Sequence, residues 1–226
     1  MELKPIAFFR SPLTSKFGLP RQSGIVETLV GEIVFLPEYR DPSFVRGLDE
    51  FDYLWLIWGF SANRHEAVRP MVRPPLLGGN KSMGVFATRS PYRPNPIGLS
   101  SVRILSVEAD TADGTVIRVA GADLMDATPI YDIKPYVEYA DSHVGVRSGF
   151  VDKRAWDCLE VVFERQAARA LSEEDRATVE RLLALDPRPH YHDDPERVYG
   201  MPFKGRDIRF RVADGVLTVV EVVAAE

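Results

Sequence analysis

The first 165 residues of this chain carry no long helical hydrophobic period. Short runs of β-branched and aromatic residues, bounded by Gly, Pro or Asp, stand in its place. They are Ile6 to Phe9, Leu29 to Phe35, Leu54 to Trp58, Gly84 to Ala87, Ser101 to Val107 and Val116 to Ala120. Such a chain has no helix faces to pack and must close or stack a sheet, so a barrel or sandwich is predicted. Ser101–Val102–Arg103–Ile104 alternates polar and apolar, as a half-buried strand does. The turn-rich Ala109–Asp110–Thr111–Ala112–Asp113–Gly114 predicts a hairpin between the last two runs.

The pattern changes after a polar stretch, Ala140 to Arg154, which reads as a linker. Leu159 to Phe163 is another strand. Ser172 opens a helix, with Glu173, Glu174 and Asp175 in its first turn and Val179, Leu182, Leu183 and Leu185 as its apolar stripe. Asp186–Pro187 ends it. Ile208 to Val212 and Leu217 to Val223 flank Ala213–Asp214–Gly215, a hairpin signal. The expectation is a mainly β protein: a β-barrel domain over 3–145 and a small α+β domain over 155–226.

Net charge is −5, but its distribution is uneven. Arg64 to Arg103 carries seven Lys/Arg against Glu66 alone, so this stretch is +6 and the remainder −11. Concentrated positive charge of this kind suits a nucleic-acid phosphate backbone as well as a solvated loop. The lone Cys158 excludes an internal disulfide framework, and the N-terminus lacks a signal-peptide pattern, so a cytoplasmic location is expected. The most apolar run, Tyr53 to Phe60, is too short to span a bilayer, and no membrane role is expected. His190–Tyr191–His192 is the only close histidine pair and lacks a third ligand at zinc spacing, so no metal site is expected.

Two clusters stand apart from core patterning. Met71 to Leu99 has Pro70, Pro74, Pro75, Pro91, Pro94 and Pro96 in or beside it, which stiffens an irregular backbone. Arg89–Ser90–Pro91–Tyr92–Arg93–Pro94–Asn95–Pro96–Ile97–Gly98 therefore presents two arginines, a tyrosine and an asparagine on a braced loop. The second cluster runs from Asp123 to Tyr136, bracketed by Pro129 and Pro135; its charges do not alternate cleanly with Ile130 and Ile133, which argues against a plain surface strand.

With Pro20–Arg21–Gln22–Ser23–Gly24, Arg46–Gly47–Leu48 and Val72–Arg73–Pro74–Pro75–Leu76–Leu77–Gly78–Gly79–Asn80, these clusters resemble the TsaA-like family of tRNA methyltransferases. The longest matches are Gly84–Val85–Phe86–Ala87–Thr88–Arg89–Ser90, Arg93–Pro94–Asn95–Pro96–Ile97–Gly98 and Asp132–Ile133–Lys134–Pro135–Tyr136; Asp186–Pro187–Arg188–Pro189 fits the family's C-terminal domain. The resemblance implies a homodimeric β-barrel enzyme using S-adenosylmethionine. Its implied product is N6-methylated threonylcarbamoyladenosine at tRNA position 37, next to the anticodon of a threonine tRNA. It also implies a cofactor pocket lined by Gln22, Ser23, Gly24, Phe60, Ser61, Arg89, Leu99 and the turn Ala120–Gly121–Ala122–Asp123. One departure is Asp126–Ala127–Thr128–Pro129, where the family more usually has glycine at the second position; alanine tolerates positive φ poorly.

Methyl transfer from a sulfonium needs alignment and exclusion of water, not a metal. The Asn95 carbonyl is a candidate acceptor for the target amine, and Asp126 a candidate proton acceptor. Arg64, Arg69, Arg73, Lys81, Tyr92, Arg93, Lys134 and Tyr136 are candidate tRNA contacts. Two other readings compete on the same residues: a non-catalytic RNA-binding barrel, and a methyltransferase for a small molecule.

Overall fold

A computed structural model describes residues 2–62, 68–78, 81–153, 158–188 and 194–225. In chain order its N-terminal strands are β1 (Ala7–Arg10), β2 (Val30–Phe35), β3 (Tyr53–Gly59), β4 (Met71–Val72), β5 (Met83–Gly84), β6 (Ile97–Thr111), β7 (Gly114–Ala120) and β8 (Thr128–Pro135). Six of them close a barrel in the order β1-β2-β7-β6-β3-β8, with every neighbour antiparallel. Closure removes the open edges that a sheet of this size would otherwise expose. The period-two pattern sets the faces. Phe9, Ile33, Phe35, Leu54, Leu56, Val102, Ile117, Val119 and Ile130 fill the interior. At about 25 cal/mol per Å² of apolar surface removed from water, this interior is the barrel's main source of stability.

The expected hairpin is β6–β7, and β6 is longer than predicted because Ile97 to Leu99, read as part of the braced segment, already pairs with β3. One expectation is corrected. Gly84 to Ala87 is not a strand: only Met83–Gly84 pairs, and Val85–Ala87 is a 3-10 turn closed by Thr88 donating to the Val85 carbonyl. The run around Pro129, whose pattern argued against a plain surface strand, is β8, a strand that closes the barrel between β1 and β3 with Thr128 and Ile130 buried. Its uneven pattern comes from a bulge: Ile57 pairs with Asp132 but Trp58 pairs with Ile130, which leaves Tyr131 extra. Bulges shift the facing of side chains at barrel rims, and a strict alternation test misses them.

A short helix α1 (Glu138–Asp141) leads into the polar stretch, and both are largely exposed, with Tyr139 of the helix at 92% and Val144 at 96%. The C-terminal part comprises β9 (Glu160–Phe163), α2 (Arg165–Arg169), α3 (Glu173–Ala184), β10 (Tyr199–Phe203), β11 (Arg206–Ala213) and β12 (Val216–Ala224). Ser172 caps α3 as expected, accepting from the Asp175 amide at 3.1 Å. The sheet order is β10-β11-β12-β9. Asp214 and Gly215 both have positive φ (50° and 79°) in the two-residue turn between β11 and β12.

The β1–β2 connection crosses between the two cores. Leu13, Val26 and Leu29 are buried among Val179, Leu182, Phe210 and Val219 of the C-terminal part, with Phe17 and Leu19 packed alongside. Sequence position assigns this segment to the barrel, but its apolar side chains belong to the other core. No helix of the described residues is long and apolar enough to cross a membrane.

Candidate active site

A cavity of about 560 Å³ opens at one end of the barrel. Four separate segments wall it. The β1–β2 connection contributes Lys16, Arg21 and Gln22; the end of β3 contributes Trp58, Phe60 and Ser61; the braced loop and the start of β6 contribute Arg89, Arg93, Asn95 and Leu99; the β7–β8 connection contributes Asp123 and Met125. Its size suits a nucleoside-sized ligand, since small-molecule sites span about 300–1,000 Å³.

Each wall has a local cause. Arg21 and Gln22 reach the cavity because Leu13, Phe17, Leu19, Val26 and Leu29 anchor the opposite side of their loop in the C-terminal core. Arg21 also donates to the Asp186 main-chain carbonyl at 3.4 Å, so the end of α3 abuts this wall. Burial lowers the Arg21 pKa, against the opposing field of Asp186. Phe60 is tied to the braced loop by its amide, which donates to the Pro96 carbonyl at 3.1 Å, and its ring lies 4.4 Å from that of Trp58. Gly98 leaves the room that Trp58 fills: a Cβ there would run into the indole. On the braced loop, Arg93 donates to the Thr88 carbonyl at 3.1 Å, and its guanidinium lies 5.9 Å from the Phe86 ring centre. Asn95 is exposed on the wall, its carbonyl accepting from the Ile97 amide at 2.8 Å.

The polar floor is a chain of three residues. Trp58 Nε1 donates to Ser100 Oγ at 2.9 Å, and Ser100 Oγ donates to Asp123 Oδ1 at 2.6 Å. The Ser23 amide lies on the same side and favours the charged carboxylate. Burial pushes the Asp123 carboxyl above its usual range, while the Ser100 hydrogen bond, its main-chain bonds and Arg89 act in the opposite direction.

The residues expected to hold the cofactor are thus partly gathered here. Gln22, Phe60, Ser61, Arg89, Leu99 and Asp123 line the cavity, and Asn95 joins them. Ser23 sits behind the wall. Gly24 donates to the Gly121 carbonyl at 2.8 Å; Gly24, Ala120 and Gly121 line a separate cavity of about 40 Å³. Ala122 is buried in the barrel core.

Asp126 lies apart from the cavity lining. Its carboxylate accepts from the Ser11 amide at 2.9 Å, and its own amide donates to the Leu13 carbonyl at 2.8 Å, so it pins the start of the β1–β2 connection. These bonds give Asp126 a structural role, and the cavity lining, where a proton acceptor was expected, does not include it. Ala127 next to it stands at φ 59°, the conformation that makes glycine usual there.

The tRNA candidates fall into two groups. Arg69, Arg73, Lys81 and Tyr92 are exposed on the segment that carries the cavity's outer rim, with the Arg69 guanidinium 4.9 Å from the Tyr92 ring centre. Lys134 is at the far end of β8 and Tyr136 just beyond it, about 20 and 26 Å of extended chain from Thr128 on the cavity wall. Lys134 pairs with Asp132 at 3.1 Å, and Tyr136 packs on Tyr53 and Trp55. Arg64, Gly79–Asn80 and His190–Tyr191–His192 lie outside the described residues. No group of acids, histidines and cysteines able to hold a metal occurs among the described residues.

Sequence reasoning missed Lys16, Trp58, Ser100 and Met125. A buried tryptophan and a serine on alternating strands read as core positions, and nothing in their spacing links them to Asp123.

The donor set fits S-adenosylmethionine. Arg89 supplies a cation for its carboxylate, Phe60 and Leu99 supply apolar surface for its adenine, and Asp123 supplies an acceptor.

Comparison with known proteins agrees with this geometry. The model of the tRNA-methyltransferase O N-terminal domain matches residues 8–142, and that of the TrmO C-terminal domain matches 157–225. The tRNA (adenine(37)-N6)-methyltransferase of Escherichia coli is 35% identical over 221 residues, covering 94% of each chain. A Pseudomonas aeruginosa relative, described as an S-adenosylmethionine-dependent methyltransferase, is 37% identical over 92% of this chain and 91% of its own. A crystal structure of TrmO superposes with a TM-score of 0.81 at 31% identity, covering 99% of each chain. From barrel to C-terminal sheet, the chain belongs to the tRNA-methyltransferase O family.

Proposed function

We propose that this protein methylates the N6 nitrogen of threonylcarbamoyladenosine at position 37 of a tRNA, a threonine tRNA first among them, with S-adenosylmethionine as donor. The observation that carries this reading is the cavity itself, where Gln22, Phe60, Arg89, Asn95 and Asp123 converge from four segments beside a loop bearing Arg69, Arg73, Lys81 and Tyr92. When bound, the cofactor supplies a methyl carbon activated by a positively charged sulfur. Arg89 and Gln22 hold its polar end. Asn95, its backbone fixed between Pro94 and Pro96, presents an amide oxygen to the target N–H, a bond that strengthens as the nitrogen gains positive charge. Phe60 and Leu99 exclude water from the reacting atoms.

The same reading divides the chain into a barrel unit over 3–145 and a C-terminal unit over 155–226, with the β1–β2 connection docked on the latter. It makes the protein a cytoplasmic homodimer. Exposed Tyr139, Val144, Val146 and Val151 on the connecting stretch and Leu99 on the barrel are the apolar surface that a second copy would cover. Sedimentation of a fully active monomer at assay concentration would remove the dimer.

The decisive test supplies purified protein and labelled S-adenosylmethionine with tRNA that carries or lacks threonylcarbamoyl, followed by nucleoside mass spectrometry. Label on N6 of the modified base alone is the expected result. Label on unmodified adenosine, or on a small molecule instead of tRNA, would replace this substrate assignment. Cofactor binding without any transfer to tRNA would favour an RNA-binding module.

A further inference from the structure

A base in a tRNA loop is stacked on its neighbours, and a cavity walled by four segments admits it only after it has left that stack. The base beside it then loses a stacking partner. Aromatic rings and guanidinium planes hold single-stranded bases in this state, because every base has a π face.

Phe86 stands where such a ring is needed. At 75% it is the most exposed phenylalanine of the chain, and it lies outside the cavity lining. Single exposed apolar residues are ordinary on protein surfaces; this one differs in how firmly it is presented and in what surrounds it. Val85 before it is buried, and the Val85 amide donates to the Pro70 carbonyl at 3.0 Å. Thr88 closes the turn, donating to the Val85 carbonyl through its amide at 3.2 Å and its hydroxyl at 2.9 Å. The Arg93 guanidinium, 5.9 Å from the Phe86 ring centre, belongs to a residue of the cavity wall, so the ring lies one side chain outside that wall. The neighbouring Tyr92 carries a second such pair, with the Arg69 guanidinium at 4.9 Å. The rim thus holds two adjoining pairs of ring and guanidinium. From Val68 to Val107 the chain has six Lys/Arg and no Asp or Glu. That charge suits a polyanion, whereas a second copy docking through the same patch would meet its own charge sign.

We propose that Phe86 is a stacking residue for the nucleobase next to the target, with the Arg93 guanidinium alongside, and that it holds the tRNA loop open while the target base occupies the cavity. This rests on the substrate reading given above. Phenylalanine has no polar side-chain atom, so it reads no base edge; it favours an unpaired base without choosing which one. The ring grips the loop before and during the transfer alike. Its loss therefore raises KM and leaves kcat nearly unchanged.

The test uses Phe86→Leu, which keeps apolar bulk without a π face, and Phe86→Trp, which enlarges that face. The substrates are threonine tRNAs carrying threonylcarbamoyladenosine, either intact or with an abasic nucleotide immediately before or after it. Phe86→Leu should raise KM for the intact tRNA by about 5- to 150-fold, the effect of one lost base stack. Its kcat should change less than about threefold, and its cofactor affinity by calorimetry should match the wild type. Phe86→Trp should keep the wild-type KM or lower it. Removing one of the two flanking bases should cost the wild-type enzyme a similar factor and cost Phe86→Leu nothing further, because ring and base make the same contact. The proposal is overturned if Phe86→Leu has the wild-type KM, or if its loss multiplies with that of each abasic nucleotide in turn. A loss of KM together with weaker self-association in sedimentation would also overturn it, assigning the ring to a contact between copies. Wild-type enzyme that methylates only tRNA bearing unmodified adenosine would instead remove the substrate reading, and the same comparison on that tRNA would still score Phe86.

Discussion

The Arg89 guanidinium donates to Gln22 Oε1 at 2.5 Å, joining two residues 67 apart in the chain. One comes from the braced loop, the other from a segment anchored in the C-terminal core. The bond closes the cavity wall from both sides, and Gln22 is itself held because its amide nitrogen donates to the Arg21 carbonyl at 2.6 Å. Arg89→Ala should weaken cofactor binding by about 10- to 150-fold, the loss of one charge-assisted contact of about 1.5–3 kcal/mol. Gln22→Ala should weaken it less, since the cation remains. Calorimetry on both variants and the double variant measures the coupling; strictly additive effects would mean that the two residues act independently.

Asn95→Ala should lower the methyl-transfer rate by about 100- to 1000-fold, the effect of removing one preorganised group worth about 2.7–4 kcal/mol in the transition state. Cofactor affinity should stay close to normal, because in the proposed reaction Asn95 bonds the target rather than the donor. If Asn95 only braces its turn, the variant will instead lose thermal stability and cofactor binding together with activity.

Ala127 occupies φ 59° with a Cβ that this conformation crowds. Ala127→Gly should raise unfolding free energy by about 1 kcal/mol, the relief of left-handed strain outweighing the extra chain entropy of glycine in the unfolded state. Chemical denaturation measures it. A less stable variant would show that the methyl makes a contact outweighing the strain.

Gly98→Ala puts a methyl where the Trp58 indole lies. Overpacking of this kind costs about 1–3 kcal/mol. The displaced indole also loses its hold on Ser100, so thermal midpoint and turnover should fall together. Unchanged tryptophan fluorescence with full activity would show that the barrel end adapts freely.

Binding to tRNA should depend steeply on salt through the exposed Arg69, Arg73 and Lys81. Replacing each with a neutral residue should shallow the log–log salt slope by about 0.7 for a single-stranded loop, or about 0.9 where the contact is to duplex. A triple variant with the wild-type slope would mark these cations as a solvated face.

Local chemistry decided what was legible beforehand. Stretches with clean alternation, such as Ser101 to Ile104, and the capped helix after Ser172 carry their signal within a few residues, because backbone geometry and one-sided burial act at that range. The braced loop was visible for the same reason, since proline restricts φ wherever it stands. The strand β8 was missed because a bulge at Tyr131 breaks the two-residue period, and only pairing with β3 reveals where the extra residue falls.

The site divides along the same line. The sequence by itself set apart from core the braced loop bearing Arg89 and Asn95 and the cluster that opens at Asp123, and its resemblance to a known family added Gln22. It also marked position 127 as one where alanine stands in place of glycine, while the structure shows that the turn keeps its positive φ there. Tertiary structure alone decided that Asp123, not Asp126, faces the cavity, three residues apart on one connection with opposite surroundings. It alone placed the β1–β2 segment on the C-terminal core and ran a hydrogen-bonded line from Trp58 through Ser100 to Asp123. The physical reason is that barrel closure and core packing bring together residues tens of positions apart, and the direction a side chain faces is fixed by the register of strands it does not belong to.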